Sequence, residues 1–475
     1  MTHLEPQVFS DYLVRTRWFG GKGRPFNVTG FRLVGEVPGR VDDSPRVVIH
    51  LVQVTYDDVD AAAPDAVELY QVPLAFYEHP QGRLDHAFVG WWEDPEHGWV
   101  HAYDALHDRE AMACWLRSFD DAATQEHGHT VDPETMLTFH RLPGHDLDRD
   151  AQSMLFTGEQ SNSSVAFGED ALMKVFRKVT PGVNPDVAVH DVLTRAGSDH
   201  IAALYGWLDV LDADSDAVIQ LAMLQQFLRT ATDGWDLALG SVRSLFADPE
   251  LHARESGGDF AGEATRLGEA LRELHETLRE SFGSQSIETA DLAEQMGQRL
   301  AAAETVVPGL AEHHAPLAAL HDRVARLGRI EVHRIHGDLH LGQTLRTSKG
   351  WKVVDFEGEP AKPLAERMLP DSPWRDVAGM LRSFDYVPHV VVRDREEEDD
   401  PEVDAQRTQR GQEWAHRSRN HFLTAYAGGE LSETQRTLLD AYVADKAVYE
   451  TVYETRNRPT WVDIPLQAVA RIGAP

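Results

Sequence analysis

Cysteine and long apolar runs are nearly absent from this sequence. Cys114 is the single cysteine in 475 residues. It cannot form an intrachain disulfide, so we expect a chain that works in a reducing compartment, the cytoplasm. No segment approaches the roughly 20 consecutive apolar residues that a membrane-spanning helix needs, and the stretch from Met1 to Arg15 does not resemble a secretion signal. We therefore expect no membrane partner.

Basic residues are also scarce. Lys and Arg number 45 against 78 Asp and Glu, which gives a net charge of −33. Such a field opposes binding to a nucleic-acid backbone, so no nucleic-acid partner is expected and a small ligand is favoured. An anionic nucleotide can still bind where a local basic group and a divalent cation overcome the global repulsion.

The pattern of apolar residues changes along the chain. Short β-like runs broken by Asp, Pro and Gly fill residues 32–100 and recur in 137–176. Beyond Gln226 the apolar residues follow helical spacing, as in Glu263 to Leu278. A chain of this length usually forms more than one hydrophobic core. We predict an α+β protein with an N-terminal cap (1–108), an intermediate β-sheet subdomain (109–225) and a helical C-terminal lobe (226–475).

The strongest local motif is the triplet His336-Gly337-Asp338, followed by Gln343 and by a strand-like run that ends at Asp355. Phosphoryl transfer needs a carboxylate that orients the attacking hydroxyl and oxygen ligands that hold Mg²⁺ on the phosphates. Asp338 could act as the base that orients the hydroxyl. Gln343 and Asp355 suit the metal, and the polar residues before Gly350 predict a hairpin that brings these two together.

Two other interpretations of this motif stay open. The triplet alone is also typical of a turn with a capping aspartate. His336, His340 and Asp338 could instead bind Zn²⁺ in a metallohydrolase, although further ligands would be needed. In a kinase, we expect His336 and His340 to contact the substrate.

A candidate nucleotide site precedes this motif. Lys174 lies inside the apolar run Leu172–Phe176, where it is either an edge residue or a buried cation for phosphates. A hairpin partner is predicted in Ser163–Phe167. The small polar residues before it could present N–H groups and hydroxyls to phosphate: Ser161, Asn162 and Ser163. Gln225 ends an apolar strand that either offers backbone groups to adenine or is an ordinary buried strand.

A candidate acceptor site lies near the C-terminus. Glu450 and Glu454 are one helical turn apart, with Trp461 beyond them. Carboxylates accept hydrogen bonds from sugar hydroxyls, and an indole ring can cover the apolar face of a pyranose. The alternative is an amphipathic helix that packs its aromatic residues into the core.

Together these segments resemble the maltokinase family of the aminoglycoside-phosphotransferase and protein-kinase-like superfamily. The resemblance spans nearly the whole chain. It is most specific in three runs: Arg17–Arg24, Phe356–Pro360 and Asp371–Tyr386.

This resemblance implies a bilobal protein-kinase-like fold. It also implies transfer of the ATP γ-phosphate to the anomeric hydroxyl of maltose and a functional link to enzymes of α-glucan and glycogen synthesis. Asp338 would be the base, Lys174 the phosphate-binding lysine and Gln343 with Asp355 the Mg²⁺ ligands. Glu357 would join the metal ligands.

One departure from the family pattern concerns the partner of Lys174. The family carries a helix glutamate where this sequence has Ala188, so Asp186 or Asp191 must substitute, or the lysine is positioned otherwise. Two alternatives to a maltose kinase stay open, the first because relatives of maltokinases use other acceptors and the second because of the departure at Ala188. One is a kinase for glucosamine, glucose or another monosaccharide, and the other is a nucleotide-binding regulatory protein without catalysis.

Overall fold

The computed structural model describes residues 5–41, 44–60, 63, 65–123, 129–131, 137–156, 158, 161–212, 216–247, 252–255, 259–359, 362–393 and 401–472. The chain divides into two compact units, the first made of Met1–Asp191 with Ala202–Arg229 and the second of Val192–Ile201 with Thr230–Pro475. About half is helical (48%) and a quarter is strand (25%). The predicted mixture of a β-rich first half and a helical second half is confirmed.

The first unit contains two antiparallel sheets and few helices. Its elements are α1 (Pro6–Leu13), β1 (Phe26–Glu36), β2 (Arg46–Tyr56), β3 (Val67–Tyr77), β4 (Phe88–Asp94), β5 (Gly98–Asp104), α2 (Arg109–Ala123), β6 (His129–Val131), β7 (Leu137–Arg141), β8 (Ser153–Leu155), β9 (Ser163–Phe167), β10 (Ala171–Val175), β11 (Lys178–Val179), α3 (Pro185–Arg195), β12 (Leu204–Asp212) and β13 (Ala217–Gln226). The boundary between the units falls within α3.

The N-terminal sheet has the strand order β1-β2-β3-β5-β4. β2 is apolar along most of its length because both of its faces are covered. Val47 and Ile49 point into one hydrophobic cluster, and Val48 and Val52 point into another. This follows from the alternation of side chains along a strand. β2 is therefore a strand that packs between two hydrophobic clusters.

The second sheet has the order β6-β7-β12-β13-β10-β9-β8. β11, which lies between β10 and β12 in the chain, pairs with β3, so a segment from within the second sheet adds a strand to the N-terminal one. The buried side-chain amide of Gln71 donates to the carbonyls of Phe176 and Leu221, both at 2.8 Å. Buried amides need such partners. The predicted boundary at residue 108 stays a prediction inside this one unit.

The second unit is mainly helical. Its elements are β14 (Thr232–Asp233), α4 (Gly234–Ala247), α5 (Ala261–Phe282), β15 (Ser284–Glu288), α6 (Thr289–Val306), α7 (His314–Ala325), β16 (Arg329–His333), β17 (Thr344–Thr347), β18 (Gly350–Val353), α8 (Leu364–Arg367), α9 (Trp374–Arg393), α10 (Pro401–Ala427), α11 (Glu433–Asn457) and α12 (Asp463–Ile472).

Local sequence explains the elements that carry the candidate site. β17 and β18 form the predicted hairpin, with Thr347 opposite Gly350. α11 begins with a capping box in which Ser432 and Gln435 satisfy each other's backbone N–H groups. α9 is buried along most of its length, which places it in the middle of the unit. Within the described ranges, no helix combines the length and the apolar character needed to cross a bilayer.

Candidate active site

The lysine hairpin of the first unit forms as predicted. β10 pairs with β9 on one side and with β13 on the other, so Lys174 lies on an inner strand. Its ammonium lies 2.8 Å from Oδ2 of Asp186, and the exposed fractions of the two side chains are 11% and 2%. Asp186 is thus the residue that pairs with Lys174 in place of the glutamate missing at Ala188.

The start of α3 holds Asp186 in position. Asn184 caps the helix by accepting from the N–H groups of Asp186 at 2.8 Å and Val187 at 3.4 Å. Nδ1 of His190 lies 3.0 Å from Asp186 Oδ1. Burial alone would raise the pKa of the Asp186 carboxyl, but Lys174 and His190 hold it well below its ordinary value. The lysine therefore faces a carboxylate that is ionised near neutral pH.

The other predicted nucleotide-binding residues differ in exposure. Ser161 is exposed, while Asn162 and Gln225 are half-buried. Ser163 is buried, and its hydroxyl accepts from Nε of Arg177 at 2.8 Å. Arg177 in turn donates to Asp104 at 2.7 Å, so Ser163 belongs to a buried network that ties β9 to the end of β5. Nucleotide binding by these four residues stays a prediction.

In the second unit, α9 holds the loop that carries Asp338. The buried carboxylate of Asp376 accepts from the backbone N–H groups of His336 at 2.8 Å and Gly337 at 2.9 Å. A Cβ on Gly379 would lie 2.4 Å from the carbonyl of Leu339, so only glycine permits this approach of helix and loop. The loop geometry is fixed by a helix some forty residues later in the chain.

The two histidines of the loop have different surroundings. His336 is buried; its Nε2 lies 2.9 Å from the Val354 carbonyl, and its Nδ1 accepts from the N–H of Asp338 at 3.3 Å. These two contacts assign the tautomer in which Nε2 carries the proton and Nδ1 does not. His336 thus connects the Asp338 loop to the residue before Asp355. His340 accepts from the N–H of Gly342 at 3.1 Å. Burial lowers the pKa of His340, so its ring is neutral near pH 7 with Nε2 as the donor.

The hairpin of β17 and β18 brings the predicted metal ligands together. The amide nitrogen of Gln343 lies 3.2 Å from Asp355 Oδ2. Asp355 has a φ of +67°, a conformation that costs free energy for any residue with a side chain and is concentrated at functional sites. Carboxylate oxygens of Asp355 and Glu357 lie within 4.8 Å of each other. An amide and two carboxylates are therefore available as oxygen ligands.

Asp338 has a partner that the sequence analysis missed. Nζ of Lys446, on α11, lies 3.1 Å from Asp338 Oδ1, and the side chains are 31% and 25% exposed. Burial would raise the pKa of the Asp338 carboxyl, but Lys446 and His340 hold it below its ordinary value. Lys446 lies 108 residues after Asp338, so the sequence gives no sign that the two residues pair. The one local feature of Lys446 is its position one helical turn before Glu450.

The predicted acceptor residues lie on or just beyond α11. Glu450 accepts from Nε and Nη2 of the buried Arg382 at 2.9 and 2.7 Å. Burial raises the pKa of Glu450, although Arg382 opposes the shift. Glu454 is buried and paired with Arg458 at 2.8 Å. The ring of Trp461 has a guanidinium 4.6 Å from its centroid, that of Arg458. Their sugar-binding roles stay predictions.

Two exposed tyrosines complete this helix face. Tyr449 is 41% exposed and Tyr453 is 45% exposed. They lie one turn apart, and Lys446 is one turn before Tyr449, so the three share a side of α11. Asp338 therefore contacts a helix whose next two turns present aromatic rings to solvent.

Domain families match two parts of the chain. The maltokinase N-terminal cap domain matches residues 12–108, and the phosphotransferase enzyme family matches residues 246–420. The glucosamine kinase of Streptacidiphilus jiangxiensis is 29% identical over 323 residues, which cover 65% of this chain and 70% of that protein. The glucosamine kinase of Mycolicibacterium smegmatis is 26% identical over 320 residues, 65% of this chain and 76% of that protein.

The whole chain also aligns with solved structures. A glucosamine kinase in complex with glucosamine, ADP and inorganic phosphate has a TM-score of 0.66 and 22% identity, with coverage of 99% of this chain and 100% of that one. Crystal form B of a glucosamine kinase gives a TM-score of 0.67 at 22% identity, over 99% and 98% of the two chains. This likeness confirms the predicted kinase-like fold.

Proposed function

Because the chain is a maltokinase-like protein of the phosphotransferase superfamily, we propose that it is an ATP-dependent sugar kinase with maltose as the acceptor. The contact between Lys446 and Asp338 carries this proposal. It places α11, with Tyr449 and Glu450 one turn further on, beside the carboxylate that would act as the base.

α11 offers what a sugar needs close to that base. Tyr449 and Tyr453 present rings that can cover the C–H face of a pyranose. Glu450, held by Arg382, can accept hydrogen bonds from hydroxyls. A sugar bound along this face would have its reacting hydroxyl next to Asp338. Binding on a rigid helix limits the orientations from which that hydroxyl can react.

Asp338 is the group that accepts the proton. Since its pKa lies below the ordinary value, the carboxylate is ionised at neutral pH and can orient the sugar hydroxyl. The hydroxyl oxygen forms a bond to the γ-phosphorus of ATP, and the bond between that phosphorus and the β,γ-bridging oxygen breaks. The proton passes to Asp338, ADP leaves, and the sugar phosphate is formed.

The residues around Asp355 fit magnesium. Gln343, Asp355 and Glu357 offer oxygen donors, which Mg²⁺ prefers, and the Asp355 and Glu357 oxygens are close enough to share one ion. When bound, Mg²⁺ would neutralise charge on the phosphates of ATP. The amide nitrogen of Gln343 on Asp355 orients that carboxylate.

Lys174 is the proposed cation for the ATP phosphates. It is fixed by Asp186 and lies on an inner strand, so its position is set before a nucleotide arrives. Ser161, Asn162, Ser163 and Gln225 are proposed as further nucleotide contacts. Because Asp186 fills the place of the helix glutamate, the substitution at Ala188 does not argue for an inactive protein.

Ion pairing around α11 favours a neutral sugar. Asp338, Glu450 and Glu454 each already pair with a cation. The ammonium group of glucosamine would compete with those cations for the carboxylates. The hydroxyls of maltose can instead donate hydrogen bonds to the same carboxylates without displacing the cations. Glucosamine is the second candidate, because two relatives carry the name glucosamine kinase. A functional link to α-glucan synthesis follows only if maltose is the acceptor.

The acceptor can be identified by measuring ADP release with MgATP and maltose, glucosamine or glucose, with mass spectrometry of the product. We expect kcat/KM for maltose to exceed that for glucosamine by about tenfold or more. Background turnover with maltose together with rapid turnover of glucosamine would replace the first candidate by the second. Turnover of none of the three would contradict a sugar kinase with these acceptors.

A further inference from the structure

The strand that carries Lys174 continues from the second sheet of the first unit into the N-terminal sheet. β10 ends at Val175, and β11 begins at Lys178 and pairs with β3. Only Phe176 and Arg177 lie between the two strands. The backbone of the proposed phosphate-binding lysine is therefore attached to the N-terminal sheet by a very short junction.

A buried amide of the N-terminal sheet holds this junction. Gln71 lies on β3 and is fully buried. Its Nε2 donates to the carbonyls of Phe176 and Leu221, both at 2.8 Å, and its backbone N–H donates to the carbonyl of Arg177 at 2.6 Å. Leu221 lies on β13, next to the last residue of that strand that pairs with β10. One side chain thus holds β10 and β13 in register just beyond their last pair.

A buried ion pair holds the next residue of the junction. Nη2 of Arg177 donates to Asp104 at the end of β5, at 2.7 Å, and Nε donates to Oγ of Ser163 at 2.8 Å. The side chains of Arg177 and Asp104 are 1% and 2% exposed. Ser163 lies on β9, opposite Val175. The guanidinium therefore connects the N-terminal sheet to the hairpin that carries Lys174.

Segments from the start of the chain surround this ion pair. The hydroxyl of Tyr12, on α1, donates to Asp104 Oδ2 at 2.5 Å. The ring centroid of Trp18, which belongs to the run Arg17–Arg24, lies 4.6 Å from the guanidinium carbon of Arg177. Burial alone would raise the pKa of the Asp104 carboxyl, but the charge of Arg177 holds it below its ordinary value. The carboxylate is therefore ionised near neutral pH and the ion pair is intact.

The polar character of these contacts favours a role in positioning. A buried ion pair adds little net stability compared with apolar side chains that pack equally well, and its best-attested use is to fix register. Hydrogen bonds are directional and permit fewer arrangements than apolar contacts do. A slip of β10 by one residue would turn Lys174 to the opposite face of the sheet. The contacts of Gln71 and Arg177 oppose such a slip.

We propose that Gln71 and Arg177 are positioning residues for Lys174, so that the N-terminal sheet contributes to nucleotide affinity without contacting the nucleotide. This inference rests on the proposed role of Lys174 at the ATP phosphates. Its physical basis is that a charged group binds most strongly when its position is set before the ligand arrives. A misplacement of about 1 Å can cost about 10²-fold at such a site.

The test measures the affinity of the full chain for ADP with Mg²⁺ by isothermal titration calorimetry. Gln71→Met keeps the length of the side chain and removes its amide donors. The matched control is Gln53→Met on the neighbouring strand β2, where the amide donates to Thr29 instead. We expect the Kd for ADP to rise about tenfold in Gln71→Met and to stay within about twofold of the parent in the control.

A double variant separates positioning from a general loss of stability. If Gln71 acts through Lys174, then Gln71→Met should weaken binding little further once Lys174→Met has removed the ammonium group. An equal loss of affinity in both backgrounds would overturn the proposal. Val52→Ala opens a cavity in the cluster on the other face of the N-terminal sheet, so it should lower stability and leave the Kd within about twofold of the parent.

The same titrations distinguish this inference from the proposed function. No binding of ADP by the parent, or unchanged binding by Lys174→Met, would overturn the proposed role of the lysine and this inference with it. Weak binding by Lys174→Met together with unchanged binding by Gln71→Met would overturn this inference alone.

A second variant serves if Gln71→Met does not fold. Asp104→Leu/Arg177→Met removes both charges of the buried pair together, so that neither is left unpaired. We expect it to bind ADP about tenfold more weakly than the parent, because Ser163 and the hairpin lose their connection to the N-terminal sheet. Unchanged affinity in this variant would overturn the role of Arg177.

Discussion

Each unit of the protein contains a lysine paired with an aspartate, and the two pairs differ in burial and in separation along the chain. Lys174 and Asp186 lie 2.8 Å apart, are 11% and 2% exposed and are separated by 12 residues. Lys446 and Asp338 lie 3.1 Å apart, are 31% and 25% exposed and are separated by 108 residues.

The comparison separates two uses of the same ion pair. Asp186 is enclosed by Lys174, His190 and the helix cap, so its carboxylate fixes the position of the lysine. Asp338 keeps part of its surface open to solvent, so a ligand can reach its carboxylate. The buried pair is expected to contribute mainly to structure and nucleotide position, and the open pair to the pKa of the base.

The largest effect is expected from Asp338→Asn. An amide cannot accept the proton of the sugar hydroxyl, so kcat should fall by about 10² to 10⁴ while ATP affinity is retained. Steady-state kinetics and titration with an ATP analogue measure the two quantities. Asp322→Asn, an exposed carboxylate of α7, is the matched control and should leave both unchanged. A kcat for Asp338→Asn near that of the control would remove Asp338 from its proposed role.

Asp186→Asn should mainly affect stability. It leaves the largely buried ammonium of Lys174 without its carboxylate, which costs about 3 to 5 kcal/mol when a buried pair is broken. Urea unfolding of Asp186→Asn, Lys174→Met and the double variant gives the coupling energy of the pair. We expect the double variant to be more stable than Asp186→Asn alone. Additive effects would show that the two side chains do not interact.

Lys446→Met should shift the pH dependence rather than abolish activity. Burial raises the pKa of Asp338 and the charge of Lys446 lowers it, so removal of the lysine should raise that pKa. Because the ionised carboxylate is the active form, the acidic limb of kcat/KM should move to higher pH. Lys446→Arg keeps the charge and should keep the acidic limb near its original position. An unshifted limb in Lys446→Met would show that this pair does not set the pKa of the base.

Salt should produce the smallest effect, and only in the open pair. Raising ionic strength to about 1 M shortens the screening length to roughly 3 Å, which weakens exposed charge pairs more than buried ones. The acidic limb of the parent enzyme should therefore move slightly upward in pH with added KCl, and that of Lys446→Met should move less. The coupling energy of Lys174 with Asp186 should change little under the same conditions.

Short-range features of the site were predictable from sequence. The hairpin around Lys174, the cap at Asn184 and the hairpin that joins Gln343 to Asp355 depend on neighbouring residues with clear turn and capping preferences. The sequence left three options for Lys174: a pair with Asp186, a pair with Asp191, or positioning by other residues. That choice depended on which side of the first turn of α3 faces β10.

Contacts between distant segments were not predictable in this way. Asp376, Arg382 and Lys446 each act on residues that lie dozens of positions away, and a single sequence contains no periodicity that pairs such positions. Asp376 lies within the run Asp371–Tyr386 that resembles the family, yet nothing local marks its carboxylate as the acceptor for two N–H groups of the Asp338 loop.

The sequence by itself indicated the β-rich first half, the helical second half and candidate residues for a base, for oxygen ligands of a metal and for a phosphate-binding cation, because these depend on side-chain chemistry and local spacing. Its family resemblance indicated the kinase-like fold. The tertiary structure alone decided the pairing of Lys446 with Asp338, the contacts of Asp376 with the Asp338 loop and the support of Glu450 by Arg382. Those contacts arise from how the helices pack, and packing brings together groups that chain order keeps apart.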